Sequence, residues 1–164
     1  MRRGTGGIAC LLAVMTVSMP GHAAAQAAGS YADGAATFAA NCAVCHGGSG
    51  AGQPALAPPL LVNPARYAAV AEGSRQLALT VLYGMFGEIT VDQKHFNFKM
   101  PEFSQLDDRT LATVLNFIVF DLAHAGGGIQ PLSSEEIAAE RNRSLDGAAV
   151  REHRAKVLES IGER

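Results

Sequence analysis

The sequence predicts an all-α fold of short helices separated by long irregular loops, on three observations. Leu111, Val114, Leu115, Ile118 and Leu122 recur at helical spacing. The stretch "GGSGAGQPALAPPLLVNP" cannot be a regular element, because four glycines and four prolines interrupt it. The body that remains, about 100 residues with four or five short helices, would bury too little apolar area to fold well unaided. Something large and apolar is expected to fill its middle.

The chain has 164 residues, consistent with one domain. Its start reads as a removable leader, residues 1–25. Arg2 and Arg3 precede the uncharged apolar run "IACLLAVMTV", and Ala23 and Ala25 fit an A-x-A cleavage site before Gln26. The other reading, an uncleaved anchor, has an apolar part that is short for a bilayer. Export to the periplasm is therefore expected. The whole chain carries 13 basic and 15 acidic residues, and losing Arg2 and Arg3 takes its formal charge from −2 to −4. No basic stripe remains for nucleic acid. No second long apolar run follows, so no membrane span is expected in the mature chain.

Within the body, residues 26–128, the first helix is expected from Tyr31 to Asn41, with Ser30 as N-cap and Asp33 in its first turn. Asn63 is expected to cap a short helix that has Pro64 at its first position and Gly73 beyond its end. Ser74 then starts "RQLALTVLY", stopped by Gly84. Residues 88–98 alternate apolar and polar on both sides of Asp92-Gln93-Lys94, which reads as a small hairpin. Asp107 caps the strongest helix, and "AGGG" ends it. The extension, residues 129–164, is charged and helical. Its capping box runs from Ser133 to Glu136, and Glu135 to Arg143 and Ala148 to Ile161 can each form a helix.

The chemistry lies in "NCAVCHGG". Removing the leader leaves only Cys42 and Cys45 of the three cysteines. A structural zinc site needs four ligands, and the other histidines, His95, His124 and His153, are scattered. A thioredoxin-like dithiol would sit beside a βαβ pattern, which is missing. A plain disulfide explains the cysteines but neither His46 nor the missing core. The pattern C-x-x-C-H is the attachment signature of c-type haem: both thiols bond the macrocycle and the next imidazole ligates iron. The haem would also supply the apolar core.

With Cys42, Cys45 and His46 in place, the sequence resembles class I cytochrome c from about Ser30 to Leu122. Gly34 and Phe38 stand where the family lets its first helix cross the last, with Val114 and Phe117 as partners. Pro58 and Leu60 match the loop beneath the haem, and "KMPEF" is similar to the loop that supplies the sixth ligand. The resemblance implies one covalent haem c with its iron, held by Cys42 and Cys45 and ligated by His46 and Met100. The Pro58 carbonyl would accept from His46, and Pro101 would stiffen the Met100 loop. Met85 reads as core filler and His95 as a solvated side chain.

The resemblance further implies an electron-transfer protein rather than an enzyme, because two protein ligands leave no vacant position on iron. It implies redox protein partners: a periplasmic dehydrogenase as donor, and a terminal oxidase or another cytochrome as acceptor. Two other functions stay open at this point. One is a haem enzyme or gas sensor with a labile sixth ligand; the other is a fixed subunit of a dehydrogenase complex. The extension either wraps the body or docks a dehydrogenase through Val150, Ala155, Val157, Leu158 and Ile161. All expected haem ligands precede Gly128, so truncation there is expected to leave the haem spectrum unchanged.

Overall fold

The computed structural model describes residue 1 and residues 31–162. Apart from Met1, the proposed leader lies outside the described residues, as does Ser30, and the first helix has Tyr31 as its N-cap residue in place of the expected Ser30. Helix α1 (Ala32–Asn41) is followed directly by the single turn α2 (Ala43–His46). Then come α3 (Asn63–Ala68), α4 (Ala71–Tyr83) and an antiparallel hairpin of β1 (Ile89–Val91) and β2 (Lys94–Phe96). Helix α5 (Asp108–Asn116) runs into a π-helical segment (Phe117–Leu122), and α6 (Ser134–Arg141) and α7 (Gly147–Ser160) complete the order.

Three elements depart from the sequence expectation. Asn63 and Pro64 are the first two residues of α3, whose N-cap is Val62 without a side-chain cap bond. Helix α4 begins at Ala71 rather than Ser74, so Gly73, which follows the end of α3, lies in the first turn of α4. A Cβ on Gly73 would collide with the Tyr67 carbonyl, so the glycine serves the close approach of two helices. The last helix of the body also changes register. Ala123 N donates to Ile118 O at 2.9 Å, five residues back, where an α-helix would reach four. Val119 in this segment is fully buried; of the two residues to which the apolar pattern had pointed, Ile118 is buried as well and Leu122 only half-buried.

The hairpin forms where the alternation placed it. Asp92 and Gln93 both take positive φ, 49° and 62°, at the two central positions of its turn. That is the twist a two-residue hairpin loop requires. Asp107 caps α5 by accepting from Thr110 N at 2.7 Å. Ser133 and Glu136 form the reciprocal capping box of α6, and Asp146 caps α7 by accepting from Ala148 N and Ala149 N.

Helix α1 crosses α5 at Gly34. A Cβ there would stand 2.5 Å from Thr113 O and 2.7 Å from Phe117 Cβ. Phe38 packs beside this crossing with Val114 and Ile118, and its ring lies 5.5 Å from that of Phe117. Gly34→Ala gains about 1 kcal/mol of helix propensity. It also forces backbone against backbone, an overpacking that costs about 1–3 kcal/mol or more. The holoprotein of this variant is expected to unfold at lower denaturant with an unchanged m-value. An equal or raised midpoint would show that the crossing gives way.

The main core joins α3, α4 and α5 to the extension. Leu77, Ala78, Leu82, Leu111 and Leu115 share one cluster with Leu132, Ile137 and Val157. Polar contacts hold the same seam. The buried Asn116 side chain donates to Leu132 O (2.9 Å) and accepts from Leu132 N (2.8 Å). Tyr83 Oη is directed at the Glu140 and Arg141 carbonyls and accepts from Arg143 N. Arg141 reaches Asp108 Oδ1 and the carbonyls of Ser104 and Leu106 at 2.6–2.7 Å. Of the stripe that might have docked a partner, Val150 and Val157 face inward and are buried. Among the described residues, no helix is long and apolar enough to cross a membrane.

Candidate functional site

The loop after α2 is built to hold His46. Gly52 N donates to His46 O at 2.8 Å, Leu60 N donates to Gly50 O at 2.8 Å, and Gln53 pairs with Ala57. These turns bring Pro58 O to 2.9 Å from His46 Nδ1, twelve residues along the chain. With a carbonyl as partner, Nδ1 must carry the proton, which leaves the lone pair on Nε2. The ring is buried. Burial pushes its pKa below the ordinary value, and the Pro58 hydrogen bond opposes this only in part. His46 is thus a neutral, oriented imidazole, the form that ligates a metal.

Cys42 and Cys45 lie one helical turn apart, half-buried and not bonded to one another. Burial, and then the neighbouring Cys45, push the Cys42 thiol up to about 11. A buried thiol held in its neutral form is a weak nucleophile on its own. Among the described residues, no cluster of histidine, cysteine and carboxylates could hold a bare metal ion.

Both cysteines and His46 line a cleft enclosing about 1470 Å³, part of it open to solvent. Its walls come from every part of the body: Pro58 and Leu60, Tyr67 of α3, Leu77 and Val81 of α4, Leu115 of α5 and Ile118 after it. The hairpin turns Ile89, Val91 and Phe96 towards the same space. His95 lies on the other hairpin face, 70% exposed, with Nδ1 3.0 Å from Glu88 Oε1. That is the solvated reading made from the sequence.

Met100 reaches the cleft from the segment after the hairpin. Its backbone is fixed by a two-way bridge to Met85: Met85 N donates to Met100 O (3.1 Å) and Met100 N donates to Met85 O (2.9 Å). Gly84, at φ 69°, makes this possible, since a Cβ on it would stand 2.5 Å from Met100 O. Met85 lines the cleft as well. The core-filler reading of Met85 placed it in packing but not beside Met100. Nothing in the sequence signals a bridge across fifteen residues.

Two further groups at the cleft escaped sequence reasoning. Arg154 of α7 reaches it, and its Nη2 donates to Thr90 O at 3.2 Å, bracing the hairpin. Gln76 of α4 is buried and donates from Nε2 to Thr80 Oγ1, while His153 Nδ1 stands 2.6 Å from Gln76 Oε1. No local motif marks either one, because the contacts of Arg154 with Thr90 and of Gln76 with His153 each join α7 to an element far away in the chain.

The donor set fits a covalently held haem: two thiols on one turn, an oriented neutral imidazole beside them, thioethers in the same apolar cleft. This is the site of a class I c-type cytochrome, a monohaem electron-transfer protein rather than an enzyme. Comparison with known proteins agrees. The family described as Cytochrome c matches residues 31–119. Cytochrome c-552 of Thermus thermophilus is 37% identical over 128 residues, covering 77% of this chain and 97% of the relative. A second cytochrome c-552, from Thermus thermophilus strain ATCC 27634, is also 37% identical over 128 residues, covering 77% of this chain and 86% of that relative. The chain belongs to the cytochrome c family, whose cofactor is covalently bound haem c with iron.

Proposed function

We propose that this electron carrier works in the periplasm after removal of residues 1–25. In this reading residues 26–128 form the haem-binding body and residues 129–164 its helical extension. Electrons pass from a periplasmic dehydrogenase towards a terminal oxidase or another cytochrome. Cys42 and Cys45 would hold the haem, and His46 and Met100 would ligate its iron. The observation that carries the ligand assignment is the Nδ1 contact of His46 with Pro58 O at 2.9 Å, which aims the other nitrogen away from the loop. Met100 follows from its place in the same cleft on a backbone pinned to Met85.

When bound, the haem supplies a one-electron ferric/ferrous couple. Thioether ligation raises its potential. The residues of the chain keep that couple from reorganising. Pro58 holds the imidazole, the Met85 bridge holds the Met100 backbone, and Ile89, Val91 and Phe96 exclude water. Val44, between the two cysteines, is 75% exposed, and Phe98 is 61% exposed, both at the cleft. These two exposed apolar side chains, with the charged Lys99 also at the cleft, suit brief contact with a redox partner. His95 does not face the cleft, so it offers no acid or base for chemistry there.

The test must remove both thioethers that share the cleft. In a Met85→Leu background, Met100→Ala is expected to lower the reduction potential and let the ferrous protein bind carbon monoxide at neutral pH. The unsubstituted protein should refuse it, and haem attachment should be intact in both. A doubly substituted protein with unchanged potential and no carbon monoxide binding would overturn Met100 as ligand. Cell fractionation, with the mass of the mature chain, checks export and cleavage before Gln26.

A further inference from the structure

We infer that Met85 is a reserve axial ligand, a second thioether that takes the iron when Met100 is lost. The inference rests on the reading of Met100 as native ligand and goes beyond it. Residues that exchange both backbone hydrogen bonds in an antiparallel bridge stand directly opposite one another, with side chains on the same face. Met85 and Met100 are such a pair. Their Cβ atoms are therefore about 5 Å apart. A methionine side chain with three rotatable bonds spans that offset.

Three observations direct Met85 at the cleft. It lines the same space as Met100, His46 and both cysteines. Its backbone is closed off on the side of α7, where a Cβ on Gly147 would stand 3.0 Å from Met85 Cα, and Phe86 N donates to Gly147 O at 3.3 Å. Gly84, pressed on the Met100 carbonyl, keeps the two segments from sliding apart. His95, another side chain near this segment that could ligate a metal, is turned to solvent. Met85 would supply the same kind of thioether sulfur that Met100 offers, so the replacement would need no proton or electron transfer. Iron would stay six-coordinate and closed to small ligands.

The experiment uses full-length protein with attached haem and three variants: Met100→Leu, Met85→Leu and the double. Leucine keeps the volume of methionine without its sulfur, so the fold should survive. The readouts are the ferric sulfur-to-iron charge-transfer absorption, the strongly shifted methyl resonance of a ligating methionine, and carbon monoxide binding by the ferrous protein. Met100→Leu should keep a charge-transfer absorption and a shifted methyl resonance, both at altered positions, and should refuse carbon monoxide. The double variant should lose both signals and bind it. If Met100→Leu behaved like the double variant, the reserve ligand would be overturned and Met100 would stand. If Met85→Leu alone lost the signals and Met100→Leu kept them unaltered, Met85 would be the native ligand and both readings would fall.

Discussion

Replacing both Cys42 and Cys45 with alanine is expected to abolish haem attachment and leave the chain largely unfolded. The cleft is lined by apolar side chains from α3, α4, α5, the hairpin and the Met100 segment. Without the haem these walls face each other across a gap, and each loses its contacts on that side. A fully buried apolar side chain contributes roughly 1.5–3 kcal/mol. Leu77, Val81, Val91, Phe96, Leu115 and Ile118 line that gap while packing against protein on their other sides, so losing even part of this contribution from all six is comparable with the total stability of a domain, about 5–15 kcal/mol. On the proposed attachment, the core would therefore depend on the group that the two thiols retain.

The measurements are direct. Acidified organic solvent should leave the porphyrin on the unsubstituted protein, and its mass should exceed that of the apoprotein by one haem. Expression in a cytoplasm without attachment machinery should give mostly unfolded chain by near-ultraviolet circular dichroism. A Cys42→Ala, Cys45→Ala protein that kept haem at full occupancy through the solvent test would show that the thiols are not the attachment points.

How much of this was legible in the sequence follows from how local each signal is. Cys42, Cys45 and His46 lie within one turn, and the cap at Asp107, the box at Ser133 and the hairpin turn at Asp92-Gln93 are each set by neighbouring residues. These needed no knowledge of the rest of the chain. Gly34 could be read only because its cost in a helix demands a compensating close contact, found at Thr113 O. The π-helical register after Asn116 was not legible. A shift from four to five residues per hydrogen bond changes which apolar residue points inward while leaving composition the same. Met85 beside Met100, Gln76 beside His153 and Arg154 beside Thr90 were hidden too, because each contact spans long stretches of chain. The extension is the clearest case. Its stripe looked imperfect and solvated by its own pattern, yet Val150 and Val157 are buried by α4 and its surroundings.

That burial reverses the expectation for truncation after Gly128. Loss of residues 129–164 is expected to destabilise the haem-bearing protein severely rather than leave it unchanged. Leu132, Ile137, Val150 and Val157 are each no more than 5% exposed. At roughly 1.5–3 kcal/mol apiece they contribute about 6–12 kcal/mol, an upper figure because unfolded chains are partly compact. The deletion also strips Asn116 of both its hydrogen bonds to Leu132 and uncovers Ala78, Leu82 and Leu111 beneath α6 and α7. Hairpin bracing goes with it, since Arg154 no longer reaches Thr90 O. A loss of this size should lower the Tm by more than about 20 °C. The haem absorption should then report an opened cleft through ready carbon monoxide binding. A graded control separates core loss from aggregation: Ile137→Ala in the full chain should cost about 2–5 kcal/mol with its haem ligation intact. A truncated protein of unchanged Tm would mean that α6 and α7 are dispensable cover, with their apolar stripe released for a partner. The inward packing of Val150 and Val157 argues for the opposite result, in which the extension belongs to the core and supports α4 and α5, whose other faces line the cleft.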